Sequence, residues 1–452
     1  MPPERTVVMQ MRRFIAAAGV VGLCAASPAA GQGFGASASK PRPWSRVSFF
    51  VNASRTSVDG SANRDFTELT TAFSYQLPEL DDSGADYGID ARYSAFSQEG
   101  RPARTSIYEG FVGLRTLGGR LRARAGHLWL TDVGALGSIA GAAAEYRQGR
   151  ATPEAGRLRA GAFAGLEPNI LDLGYAESVT KYGAYVAYDG AGAQRHSLGY
   201  VSIRHGALTE RAVVTTTNFL PVRRKFFLYQ AAEVNVTAPA GVGRSGLAYF
   251  FANARLTPTE RVELQGTYNR GRSIDARGLG DDVLTGRPIP QRSIDGLLYE
   301  SAGGRVTLEV VSRVRVYGGV SLDKNNRDTE RTRRILVGGY ASNIGGSGWD
   351  LTASDSIMQR DSGSYESRYV SLGRQLGRRT YVSADYSTSL SVIRYSRLDG
   401  LVIETRPRTT RYSGTFTATL DRSWSLLGVV DYTRETGLRD TRVLTGLTYR
   451  IR

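Results

Sequence analysis

Cysteine is nearly absent from this 452-residue chain: there is one, Cys24, beside 3 histidines, 4 methionines and 4 tryptophans. A single thiol excludes a disulfide framework and any cysteine-based metal site. The histidines, His127, His196 and His205, are scattered, so no metal or catalytic cluster follows from them. His196-Ser197 and His205 are the nearest approach to a barrel-rim hydrolase, and adjacency in sequence is not hydrogen-bond geometry. No enzyme activity, cofactor or metal is expected. Long apolar runs are also missing. Mean hydropathy is −0.28 and no stretch reaches the ~18 residues a transmembrane helix needs. Lysine is rare as well, limited to Lys40, Lys181, Lys225 and Lys324, so arginine carries the basic charge.

What is present begins at the N-terminus. Arg12 and Arg13 precede an apolar segment, Phe14–Ala26, followed by the small residues Ser27, Ala29, Ala30 and Gly31. That order reads as a cleaved signal peptide over residues 1–31, with Met11 as an alternative start. Leu23 before Cys24 argues against a lipid-anchored cysteine. The formal charge of the whole chain is +16, and losing Arg5, Arg12, Arg13 and Glu4 with the leader leaves +14. Residues 32–45, with Pro41 and Pro43, read as a linker, and 46–452 as one domain.

Within that domain apolar and polar residues alternate with period two. In the C-terminal hairpin Tyr412, Gly414, Phe416, Ala418 and Leu420 alternate with Arg411, Ser413, Thr415, Thr417 and Thr419, and Val443, Thr445, Leu447, Tyr449 and Ile451 close the chain. Period two puts one set on each face of a sheet. Segments of about ten such residues, one face apolar and aromatic, are the signature of outer-membrane strands. Short connections (Thr116–Gly119, Thr257–Glu260, Gly377–Arg379, Asp421–Trp424) alternate with longer ones (Gln98–Arg104, Ser273–Ser293, Asp323–Thr332, Ser396–Arg408, Glu435–Asp440). The fold class is therefore all-β: a single transmembrane, up-and-down antiparallel barrel. About 22 segments alternate, five of them weakly (141–148, 179–188, 197–204, 209–219, 332–342). Treating short ones as mis-split gives an expectation of about 18 strands, within 16–22. The stretch 305–322 reads as one segment.

Arg120-Leu121-Arg122-Ala123-Arg124 is the sharpest local feature. Arginine facing lipid near the midplane costs about 2–4 kcal/mol, so Leu121 and Ala123 face out and Arg120, Arg122 and Arg124 face the lumen. Closing the hairpin over Thr116–Gly119 sets Gly113 opposite Arg122, and Glu109 diagonal to Arg124. Arg157 and Arg159 continue the theme, with Arg92 and Arg315 as further lumen candidates. Charged rings set channel selectivity, so these arginines imply a path for anionic solutes. The competing reading is bracing, since Glu68, Asp90, Glu109, Glu263, Glu309, Asp385 and Asp431 share the inner parity. Leu130–Gly141 is too apolar for a water-facing loop, and is expected to fold inward as a constriction through Leu130, Asp132, Leu136 and Ile139. Ser273–Ser293, the longest loop, is a candidate lid or surface epitope. Gly241–Gly246 matches a dinucleotide fingerprint by letter, but it lies between strands and not before a helix. Basic residues spread along strand faces give no nucleic-acid signature.

On these features (leader, amphipathic strands, sorted connections and a terminal strand with Tyr449) the chain resembles the Gram-negative outer-membrane β-barrel porins over residues 45–452. The arginine-lined wall is similar to the exopolysaccharide-export porins of the alginate type. The resemblance implies an integral outer-membrane channel, possible export of an acidic polysaccharide, contact with lipid and lipopolysaccharide, and delivery by the barrel-assembly machinery. The chain departs from the group in ending Tyr449-Arg450-Ile451-Arg452 and not on an aromatic residue. The alternative is a non-conducting barrel that binds a surface polymer or partner through its outer loops.

Overall fold

A computed structural model describes residues 44–452 apart from 77–83, 99, 149–155, 170–173, 223–224, 329, 361–362, 397–401 and 452. The leader and most of the linker lie outside the described residues. The strands run β1 (Trp44–Val58), β2 (Arg64–Gln76), β3 (Ala85–Phe96), β4 (Arg104–Thr116), β5 (Leu121–Trp129), β6 (Ser138–Gln148), β7 (Arg157–Pro168), β8 (Tyr175–Asp189), β9 (Arg195–His205), β10 (Leu208–Val222), β11 (Phe226–Asn235) and β12 (Gly246–Thr259). They continue β13 (Val262–Ser273), β14 (Leu297–Val311), β15 (Val314–Asn325), β16 (Thr332–Ala341), β17 (Trp349–Arg360), β18 (Gly363–Leu376), β19 (Thr380–Ser396), β20 (Val402–Thr405), β21 (Arg408–Thr419), β22 (Trp424–Glu435) and β23 (Leu438–Ile451). Each wall strand pairs antiparallel with its neighbours. β1 then pairs with β23 from Ser45↔Ile451 to Val58↔Leu438, which closes the cylinder. β20 pairs only with the end of β19 and extends that hairpin beyond the wall.

The wall therefore has 22 strands, not about 18. All five weakly alternating segments are wall strands: β6, β8, β9, β10 and β16. On β6, β8, β9 and β10 the inner positions are largely small or buried against other protein, and that blurs the polar–apolar contrast. The 305–322 stretch is two strands, β14 and β15, turned at Ser312-Arg313, where Arg313 takes φ 71°. Glu435–Asp440 is not a long loop, since only Thr436-Gly437 separate β22 from β23.

Outward positions carry Val51, Leu69, Val112, Leu114, Val316, Val337, Val370, Phe416 and Val430, all exposed. Such a surface on a closed sheet is stable in hydrocarbon, because strand pairing satisfies wall backbone groups inside the sheet. The chain is a transmembrane β-barrel. Aromatic pairs mark one rim: the Trp424 and Tyr449 rings lie 4.6 Å apart, and the Arg374 guanidinium lies 5.0 Å from the Trp349 ring centre. Several turns at that rim are short, among them β12–β13, β14–β15 and β18–β19. In the β21–β22 turn the Trp424 and Ser423 N–H groups donate to Asp421 Oδ1 at 2.7 and 2.6 Å, holding this carboxyl below its ordinary pKa.

The connections at the other rim include the longest one. The β13–β14 connection contains two helices that the sequence reading did not place, α1 (Ala276–Thr285) and α2 (Gln291–Asp295). Asp275 caps α1 by accepting from the Gly278 N–H at 2.9 Å, and Gly286 ends it in the left-handed region.

The two faces predict opposite tolerance at adjacent positions. Val370→Lys, outward and mid-strand, should lower stability in bilayers by about 2–4 kcal/mol, whereas Ser371→Lys, facing the lumen, should change it by under about 1 kcal/mol. Denaturant unfolding from lipid vesicles measures both.

Candidate functional site

The site builds from the connection between β5 and β6. Residues Thr131–Leu136 form a short 3-10 turn, preceded by Leu130 and closed by the Leu130 N–H donating to Gly137 O at 2.9 Å. The turn lies against the face of β8, β9 and β10 opposite the exposed apolar side chains, hence inside the barrel. Val133 is fully buried there. A Cβ built on Gly199 would stand 2.7 Å from Val133 Cγ1, so only glycine at 199 lets the turn approach this wall. Leu130 and Val133 join Leu128, Ile139, Phe163, Val179, Val201 and Ile203 in an apolar core inside the lumen. Leu130, Asp132 and Leu136 thus belong to an inward turn. Ile139 does not: it sits in β6, on the inner face, beneath the turn.

Arg159 on β7 fastens the turn. Its guanidinium donates to both Asp132 oxygens at 2.8 and 2.9 Å, to Glu145 Oε2 at 2.8 Å and to Asp189 at 2.8 and 3.1 Å. The planar fork of arginine suits such multiple carboxylate contacts. Asp132 also accepts from Arg195 at 2.8 Å, Glu145 from Arg147 at 2.6 Å and from Tyr185 Oη at 2.7 Å, and Asp189 from Arg157 at 3.0 Å. Further along the wall, Asp86 accepts from Arg115 at 3.0 Å and from Arg122 through two contacts. Four carboxylates, Asp86, Asp132, Glu145 and Asp189, each serve two arginines. This arc of the lumen is therefore internally paired and still carries more cations than anions.

The expected site residues separate as follows. Arg122, Arg124, Arg157 and Arg159 face the lumen. Arg120 does not: it is exposed in the four-residue β4–β5 turn Leu117–Arg120, where Leu117, Gly118 and Gly119 take positive φ and which lies one residue further along the chain than Thr116–Gly119. That displacement shifts the register by two residues, pairing Arg115 with Arg122 and Gly113 with Arg124. The glycine at 113 consequently makes room for Arg124, whose Cγ would stand 2.9 Å from a Cβ there. Arg124 lies 5.2 Å from the Phe111 ring centre. Glu109 is in register with Asp90, and because Gly113 now stands opposite Arg124 it no longer lies on the diagonal to Arg124. Arg92 donates to Glu68 at 2.9 Å, and Arg315 to Glu309 at 2.9 Å and Tyr340 Oη at 3.0 Å.

The opposite arc is different in kind. Inner positions of β17, β18, β19 and β21 include Ser354, Ser356, Ser367, Ser371, Ser383, Ser387, Ser413 and Thr415, half-buried and facing open lumen. The inward turn thus occupies one side, and the opposite side is lined by hydroxyls. At the rim, α1 lies near β10: Arg277 donates to Glu210 at 2.6 Å and to Glu167 at 2.5 Å, and His205 Nδ1 is 3.5 Å from Asp281. No group of three or more histidine, cysteine, aspartate or glutamate side chains suited to a metal occurs among the described residues.

No protein-family model matches the chain, and no curated protein matches it. Among solved structures it is similar to OpdQ of Pseudomonas aeruginosa, with 8% identity and a TM-score of 0.42, over 91% of this chain and 99% of that one. It is likewise similar to OccAB3 of Acinetobacter baumannii (7%, 0.42, over 90% and 99%) and to the P pilus usher PapC translocation pore (9%, 0.47, over 90% and 100%).

The buried pairs predict a steep cost for removing one partner. Asp86→Leu takes from the buried Arg115 and Arg122 the carboxylate they share and should cost about 3–5 kcal/mol. Asp65→Leu, which breaks the exposed Arg55–Asp65 pair, should cost under about 1 kcal/mol. Unfolding of both variants from lipid vesicles reads the difference.

Proposed function

We propose that this barrel is a passive channel of the Gram-negative outer membrane, narrowed by the Thr131–Leu136 turn and weakly selective for anions. The observation that carries this is the one-sided turn: a protein segment is fastened inside the lumen by Arg159 and Arg195, and the hydroxyl-lined arc opposite it stays open. Anion preference rests on the sharing of carboxylates. Six arginines, Arg115, Arg122, Arg147, Arg157, Arg159 and Arg195, share the four carboxylates Asp86, Asp132, Glu145 and Asp189, so this network keeps a positive excess despite its pairing. Most of each arginine's charge is committed to a neighbour, so the preference is modest and not that of an unpaired cationic ring. An acidic polysaccharide leaving the cell fits the same excess, and the alginate-export likeness stands as part of this proposal. Lipopolysaccharide and the barrel-assembly machinery are the partners such a barrel meets.

One feature favours a second reading, a non-conducting barrel that holds a surface polymer. Arg277 pins α1 to Glu167 and Glu210 near one rim.

In planar bilayers the mature barrel should conduct, with a reversal potential in a salt gradient that marks anions as the more permeant ions. Replacing Thr131–Leu136 by a two-residue turn should raise the unit conductance severalfold. Cation preference overturns the selectivity, and an unchanged conductance overturns the role of the turn. Zero conductance both in the intact chain and in Arg277→Ala favours the second reading.

A further inference from the structure

Next to the inward turn, the inner face of β10, β11 and β12 carries a column of rings. Pairing puts Phe219 opposite Tyr229, Ala231 opposite Phe251 and Glu233 opposite Tyr249, all on the parity of Thr215, which faces the lumen beside Val133. The Tyr229 and Phe251 centroids lie 5.8 Å apart, and Phe219 meets Phe227 edge-on at 5.4 Å. The Arg255 guanidinium stands 5.8 Å from the Phe227 ring centre. These rings are half-buried, so each keeps a surface toward the lumen. From the level of Tyr249 to that of Arg255 the column descends six residues of β12, about 20 Å.

The upper end of the column opens into a cavity of about 780 Å3, whose lining includes Trp129, Leu136, Arg211, Tyr229, Glu233 and Tyr249. Arg211 and Glu233 pair across it at 2.9 Å. Two buried polar atoms beside the rings, Thr215 Oγ1 and Asn269 Oδ1, have no hydrogen-bond partner among the described residues. Asn269 lies directly across from Phe251. Buried polar atoms are almost always satisfied, so two orphans on one face call for an explanation.

We propose that this face is a track for a linear saccharide. A sugar ring presents a CH-rich face and an equator of hydroxyls, which require an apolar plate and flanking donors and acceptors at once. Rings flanked by Asn269 and the Arg211–Glu233 pair supply both. A plain anion has no use for the rings, and an aromatic solute has no use for the fringe of polar atoms. Contacts to rings are weakly directional, and a row of similar plates lets a chain shift from one to the next without a deep trap, as passage requires. The inference rests on the channel reading and names the class of solute that the channel takes.

The test uses the full barrel with two probes, maltohexaose and a hexameric mannuronate, and two readouts: current interruptions in planar bilayers and tyrosine fluorescence titration in detergent. At least one saccharide should interrupt the current reversibly. In Tyr229→Ala/Phe251→Ala both dwell time and affinity should fall by about tenfold, while Tyr365→Ala, on the opposite arc, leaves both unchanged. Which saccharide binds assigns its charge. A barrel that conducts but ignores both saccharides overturns the track and leaves the channel. Interruptions insensitive to Tyr229→Ala/Phe251→Ala overturn it too. Saccharide binding that Tyr229→Ala/Phe251→Ala abolishes in a barrel without conductance supports the site and sinks the channel.

Discussion

Hydrocarbon offers a peptide group nothing to bond with, and that constraint shapes the molecule from end to end. A sheet inserted in lipid cannot leave an edge, so β1 must find β23, and it does so along almost its whole length. Closure in turn divides every strand into a lipid face and a lumen face. The same division decides where arginine can stand: a chain with 58 basic residues and very few lysines has to direct many of them inward, to the rims or into connections.

Inward arginine creates its own demand. In the arc from β3 to β9 the side chains crowd one another and lose water, and a charge there persists only with a partner and a full set of hydrogen bonds. Arg159 meets this by holding carboxylates from β6, β8 and the inward turn together. The network thus serves the fold first. It fastens the turn, the turn fills one side, and what remains of the lumen belongs to the hydroxyl-lined arc and to the aromatic face of β10–β12. Bracing does not exclude the anion preference proposed for the channel, because the arginines of this arc outnumber the carboxylates they share.

The barrel class was legible in the sequence because period-two alternation is a local property; Tyr412, Gly414 and Phe416 announce their face without reference to any other strand. Strand number was less so. Ser312-Arg313 turns the chain with neither glycine nor proline, and small residues on β6 leave little contrast between faces. The inward course of the 130s loop was readable from its apolar content, whereas its fastening was not. Asp132 and Arg159 are 27 residues apart, and Asp86 and Arg122 are 36, with only the register of intervening strands bringing them together. Arg120 stands outside the lumen for a similar reason, since a turn displaced by one residue, to Leu117–Arg120, moves every pairing in that hairpin. The ring column is the extreme case: Phe219, Tyr229 and Phe251 lie on three strands, and nothing in any one of them signals the others.

The most direct test of the barrel itself is a spin-label scan along β21, from Arg411 to Thr417, in lipid vesicles, reading collisions with oxygen dissolved in lipid against a nickel chelate in water. Labels at 412, 414 and 416 should favour oxygen and those at 411, 413, 415 and 417 the chelate, in strict alternation. Equal access to the chelate along the whole run would contradict a wall between lipid and lumen.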